Sequence, residues 1–216
     1  MKVELAELAV ADPPERWADL GFAVSGSCLD LGGVRVRLGV AGEGIVSWTL
    51  RGVEAGEIDG LVTHAAGPRG VSASGPRHSP EDHIEFGASR TRNGPKDHID
   101  HVVVLTPDFD RTAAALAAAG MPLRRVRDAG GLRQGFRRLG PAILELVESR
   151  EAADGPGGRA RFWGLVVVVG DLDALAARLG EHLGSVRDAV QPGRRIATLR
   201  PSAGLSPALA FMDPEP

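Results

Sequence analysis

The chain has 216 residues, 43% hydrophobic and 25% charged, with a formal net charge of −3 and one cysteine. Interspersed charge of that size gives no footprint for nucleic acid, and a lone Cys28 excludes an intrachain disulfide framework and fits a reducing compartment. The N-terminal stretch "MKVELAELAVADPPERW" carries acids inside its apolar segment, unlike a signal peptide, and no apolar run approaches the ~20 residues that cross a bilayer. The expected setting is therefore cytoplasmic, with neither membrane nor nucleic acid as a partner.

The first recognisable unit is "VELAELAVADPPERWADLG", a strand, a turn and a helix. "CLDLGGVRVRL" at 28 to 38 follows as two short strands about a glycine turn. It parallels "RRLGPAILELV" at 137 to 147, which aligns Gly32 with Gly140 and Arg16 with Arg111. "GIVSWTLRGV" and "EAGEIDGL" open a further, degraded unit. Residues 65 to 97, rich in Gly, Pro, Ser and His, read as a linker or long loop.

Periodicity becomes regular again at "HIDHVVVL", a β-branched strand. Thr106 is expected to cap the next helix, with Pro107 at its first position and Gly120 at its end. Phe109, Ala113 and Leu116 then share the buried face. Strands are expected at 122 to 127, from 132 in "LRQGFRRL" and from 142 in "AILELVE". After a break at 149 to 161, "FWGLVVVVGDLDALAARLG" repeats strand, acidic turn and helix, with Asp173 falling 63 positions after Asp110. "SVRDAV", "RRIATLR" and "SPALAFM" supply three more strands. Arg124, Arg125, Arg127, Arg133, Arg137 and Arg138 cluster in the earlier unit, which a solvated strand-and-loop face explains as well as an anion site does.

A β-α-β-β-β unit opening with "DHVVVLTPDFDRT", closing with "LELVE" and then repeated resembles the vicinal oxygen chelate superfamily, the glyoxalase, bleomycin-resistance and extradiol dioxygenase group. The resemblance implies an α+β fold in which paired units form cupped mixed sheets with helices outside. On this reading residues 1–64 are a degenerate N-terminal region, 65–97 a linker, and 98–214 a paired domain with units 98–149 and 160–214. In metal-binding members of that group, residues of the first and last strands hold a divalent ion. The matching positions are His101 and Glu145, whose imidazole and carboxylate suit Zn, Fe, Mn or Ni. Their counterparts in the second unit are Gly164 and Ala210, and in the N-terminal unit Ala6 and Arg37; none offers a donor to a cation. A catalytic zinc normally takes three protein ligands, so the inherited site is incomplete. Asp82, His83 and Glu85 of the linker could complete it only if that loop folded back, whereas His64, His78 and His182 read as surface residues.

Two functional readings follow. The favoured one is a glyoxalase-like protein that binds a small organic ligand with no cofactor, in a cavity where His101 and Glu145 are either a polar pair that only helps to bind or, with Glu145 orienting His101, a pair for metal-independent acid/base chemistry. The alternative is a metal-dependent lyase, isomerase or dioxygenase with His101 and Glu145 as ligands of a divalent metal. A third class, a scaffold pairing as a homodimer through exposed sheet edges, stays open. Phe136, Trp163 and Phe211 are candidate apolar walls of the ligand site. Arg194, on one strand face with Ile196 and Thr198, could hold a carboxylate or phosphate if that face is the cavity.

Overall fold

Alternating polarity sets the faces of the first strand, β1 (Glu4–Val10), where Leu5, Leu8 and Val10 are buried and Glu4 and Glu7 are not. A register shift between Leu5 and Glu7 brings Leu5 and Leu8 to one side although they lie three apart. The computed structural model describes residues 2–67, 97–150 and 158–216; His78, Asp82, His83 and Glu85 lie outside them. After β1 come α1 (Pro14–Asp19), β2 (Cys28–Leu31), β3 (Val34–Arg37), β4 (Ile45–Arg51), β5 (Gly56–Ile58) and β6 (Leu61–Ala66). These strands form a six-stranded sheet in the order β2-β3-β1-β4-β6-β5.

The second half begins with β7 (His98–Thr106), α2 (Phe109–Ala118), β8 (Arg125–Ala129), β9 (Leu132–Leu139) and β10 (Ala142–Glu148). It continues with β11 (Arg161–Val168), α3 (Leu172–Leu179), β12 (Arg187–Asp188), β13 (Arg195–Thr198) and β14 (Ala208–Met212). Its eight strands are ordered β12-β13-β14-β11-β7-β10-β9-β8. In each unit the first strand pairs in parallel with the last, β7 with β10 and β11 with β14, and the two first strands meet antiparallel. The smaller sheet follows the same plan: β1 with β3 and β4 with β6 are parallel, and β1 with β4 antiparallel. Each of its units is one strand shorter, and no helix separates β4 from β5. The molecule is α+β, built from repeated units in mixed sheets.

Three expected boundaries shift. Asp108, not Thr106, caps α2: its side chain accepts from the Arg111 amide at 3.0 Å. Thr106 stays in β7, where its hydroxyl meets that of Thr112 at 2.6 Å. The capping aspartate recurs 63 residues later as Asp171, which accepts from the Ala174 amide at 2.8 Å. Strand β8 starts at Arg125 rather than 122, and β6 runs on to Ala66.

One apolar core serves both sheets. Val102, Val104, Leu144 and Leu146 of the larger sheet join Leu8, Trp48 and Leu50 of the smaller, together with Phe109 and Leu116 of α2 and Leu172 and Leu175 of α3. Trp48 meets Phe162 edge-on at 5.2 Å between ring centroids, and Phe22 stacks on Phe211 at 6.2 Å. Gly32 and Gly140 occupy matching hairpin turns with φ of 66° and 71°, a conformation that favours glycine. Each turn lies against the first residue of the opposite sheet's leading strand. A Cβ at Gly32 would meet Cβ of His98 at 2.3 Å, and one at Gly140 would meet Cβ of Glu4 at 3.1 Å.

Polar clasps reinforce the seam. The Asp59 carboxylate accepts from Arg111 Nε at 2.8 Å and from the Thr112 hydroxyl. The aligned pair Arg16 and Arg111 also act alike, donating to the carbonyls of Gly204 and Gly158.

Candidate functional site

Strand alternation leaves one face of the eight-stranded sheet outside the core, and on it the register pairs build a groove. His101 pairs with Ile143, Val103 with Glu145 and Leu105 with Val147. Across β9, Glu145 pairs with Phe136 and Ile143 with Arg138. On the other side Val166 pairs with His101 and Ala210, and Gly164 with Val103 and Ala208. Ile196 and Thr198 of β13 complete the far wall, opposite Met212 and Ala210. A hollow of about 400 Å³ lies over this face, lined by Val103, Glu145, Val147, Trp163, Thr198 and Ala210 among others.

His101 and Glu145 therefore share one face, two positions apart in the register. Glu145 is half-buried, and burial pushes its carboxyl above the ordinary value; His101 and Arg127 pull it back and Asp100 adds to the rise. The imidazole's close partner is Asp100 rather than the expected Glu145. His101 Nδ1 lies 2.6 Å from Asp100 Oδ2, in a contact that lacks hydrogen-bond angles. Simple alternation would put Asp100 on the far face. A register shift in β7 makes it the extra residue, since Val166 faces His101 and Val167 faces Ile99. Burial raises the Asp100 carboxyl, but His101 and Arg194 together outweigh it and hold the group below its ordinary value.

Arg194 is 5% exposed; its Nε donates to the Asp213 carbonyl at 2.8 Å and its Nη1 to Asp100 at 3.4 Å. Phe136 stands on the groove face, edge-on to His101 at 6.2 Å and 5.0 Å from the Arg127 guanidinium carbon. Trp163 is the extra residue of a second register shift, between Phe162 and Gly164, which holds it 44% exposed at the mouth of the hollow. Phe211 is a correction: it is 1% exposed in the core against Phe22. Ala210 faces the groove, so its neighbour in a strand faces away.

The donor set of the described residues does not fit a metal. Among the described residues no group of three His, Cys, Asp or Glu side chains is placed to hold one. Gly164, the counterpart of His101, also has a structural reason to be glycine, because a Cβ there would lie 2.1 Å from the Ala208 carbonyl oxygen. A ligand at 164 would require β14 to move. Ala210 has no donor, Arg37 is bound to Glu7 at 3.0 Å, and His64 and His182 are exposed.

Sequence reasoning missed Asp100 and Arg138 as parts of this face. "DHIDH" displays Asp100, but no sequence signal announces the shift that turns it beside His101. Arg138 belongs in sequence to a charged cluster; across the sheet it pairs with Ile143, and both line a smaller hollow beside Asp100.

No family model matches the chain, and no curated protein does. Among solved structures, methylmalonyl-CoA epimerase from Mycobacterium tuberculosis is similar at 21% identity over 60% of this chain and 94% of that one, with a TM-score of 0.47. The Streptomyces coelicolor epimerase, solved with 2-nitronate-propionyl-CoA, is similar at 20% identity over 55% and 94%, with a TM-score of 0.45. A hypothetical protein from Bacillus halodurans is similar at 15% identity over 56% and 96%, with a TM-score of 0.44.

Proposed function

We propose that the groove binds a small carbonyl-bearing molecule and that Glu145 and His101 exchange protons with it, without a metal. The unit plan, parallel within units and antiparallel between them, supports kinship with the glyoxalase-like proteins; the chemistry is argued from the side chains. The observation that carries it is the half-buried Glu145 carboxyl, raised by its burial, two register positions from a buried imidazole on the same face. A carboxyl that holds its proton more tightly than usual is a stronger base when ionised and can return that proton as an acid. Asp100 lies against Nδ1 of His101, so Nε2 is the nitrogen assigned to the ligand. Val103, Val147 and Phe136 around these groups limit water and strengthen their mutual field.

Proton abstraction next to a carbonyl is the reaction class that suits such a pair. Incubating the protein in D2O with 2-oxo acids and acyl thioesters, and following C–H loss by NMR, tests it. Glu145→Gln and His101→Ala should each slow exchange by roughly 10²- to 10⁴-fold. Exchange in the wild type that survives both substitutions would sink the assignment, as would none across the panel.

A further inference from the structure

The hollow over the groove is one-sided in its chemistry. Val103, Val147, Leu165 and Ala210 give it apolar walls, and Glu145 and Thr198 place polar atoms among them. Among the described residues that line it there is no lysine, arginine or histidine. We propose that this hollow selects an uncharged carbonyl compound, a ketone, ester or thioester whose apolar, ring-sized body lies against Trp163, and rejects the matching carboxylate. The assignment deepens the proposed function and rests on the groove being the ligand site.

Charge decides the class. A carboxylate that leaves water for apolar walls needs a counter-ion or several donors. The arginines beside the hollow are engaged. Arg133 is paired with Glu148 at 3.0 Å and with Asp110 at 2.8 Å. Arg127 donates to Gln134 at 2.8 Å and lies over the Phe136 ring. Arg194 is fixed on the Asp213 carbonyl and lines a smaller hollow instead. The charged groups that do reach the lining are both acids, Glu145 and Glu148. The burial that pushes the Glu145 carboxyl above its ordinary value would act equally on a second carboxylate set beside it.

Shape gives the body. The volume of about 400 Å³ lies near the lower end of ligand pockets, on the order of 300 to 1,000 Å³, and suits a ring with a short chain. Its register shift leaves Trp163 exposed, whereas Trp17 and Trp48 are fully buried. An indole kept open beside an apolar hollow is a platform for a flat apolar group. Trp163 also lines a larger hollow at the seam between the sheets, where Arg161 and Arg200 stand. The lack of cations is therefore particular to the Glu145 side.

Phenylacetone and phenylacetate have nearly the same shape and differ in charge, so the pair tests the site. Phenylacetone should change the tryptophan fluorescence saturably, and phenylacetate should bind about tenfold or more weakly. Trp163→Phe should abolish that signal yet keep a rise in melting temperature with phenylacetone. Ala210→Leu, which fills this hollow and not the one at the seam, should weaken phenylacetone by about tenfold or more. Leu132→Lys, at an exposed position of the lining, supplies the missing cation and should narrow the gap between the two ligands a few-fold. Glu145→Gln should keep phenylacetone binding while losing proton exchange, which separates this proposal from the acid/base reading. Phenylacetate binding as tightly as phenylacetone, no response to phenylacetone, or an unchanged response in Ala210→Leu overturns the proposal.

Discussion

Asp100 and Glu145 both interact with His101 and carry opposite pH signatures. Glu145 keeps its proton in the folded protein to a higher pH than in the unfolded chain. Above the ordinary glutamate value the unfolded chain has released that proton, so the residue costs stability as pH rises through its folded value. Glu145→Gln should therefore raise the melting temperature at neutral pH, and the gain should fade as pH falls toward the ordinary value. Asp100 is held below its ordinary value and stabilises the fold above it. Asp100→Asn should cost about 2 kcal/mol at neutral pH and progressively less as pH falls through the folded value. Parallel slopes for the two variants in pH-dependent melting would refute this division. The sequence disclosed the position of Glu145 through its resemblance, and its surroundings through Ile143 and Val147. Alternation in "PALAFM" was also sufficient to turn Phe211 away once Ala210 was given to the groove. What no residue pattern disclosed was the register shift at Asp100, because a bulge depends on which strand lies alongside.

Elements were legible where local chemistry alone decides them. The strands β9 and β10 begin where "LRQGFRRL" and "AILELVE" were expected, since both are bounded by glycine turns. At the start of α2 the segment "TPDFDR" offers two capping residues, and the structure uses the second. Thr106 lost the role to tertiary context: its hydroxyl is engaged with that of Thr112 while the backbone stays extended in β7. Asp108→Ala should destabilise by about 1 kcal/mol, the usual effect of removing a cap. Thr106→Val removes a buried hydroxyl that meets Thr112 and the Asp108 backbone, but leaves the Asp108 bond to the Arg111 amide. Urea denaturation of both variants, with helix content followed by circular dichroism, tells the two effects apart: fraying of α2 belongs to Asp108 alone.

At the scale of the molecule, the small N-terminal sheet was the least legible part. Its units lack strands, and its role emerges only from contacts such as Trp48 with Phe162 and Phe22 with Phe211, far apart in sequence. We propose that the division at residues 64 and 98 is one of sheets, not of independently folding bodies. A fragment of residues 97–216 would expose the core that the smaller sheet covers. It should melt without a sharp transition, lose near-ultraviolet dichroism and bind a hydrophobic dye; cooperative melting of the fragment would refute the shared-core account. The reciprocal seating of Gly32 on His98 and Gly140 on Glu4 has a further consequence. Hairpin tips are ordinarily where a chain accepts foreign sequence, and the β8–β9 tip at Gly130 and Gly131 has open space around it. The two seated tips behave as tongues in sockets: an insertion at either would wedge its socket open and lift one sheet from the other. Accommodation of new length in this architecture is thus confined to the hairpins that touch nothing.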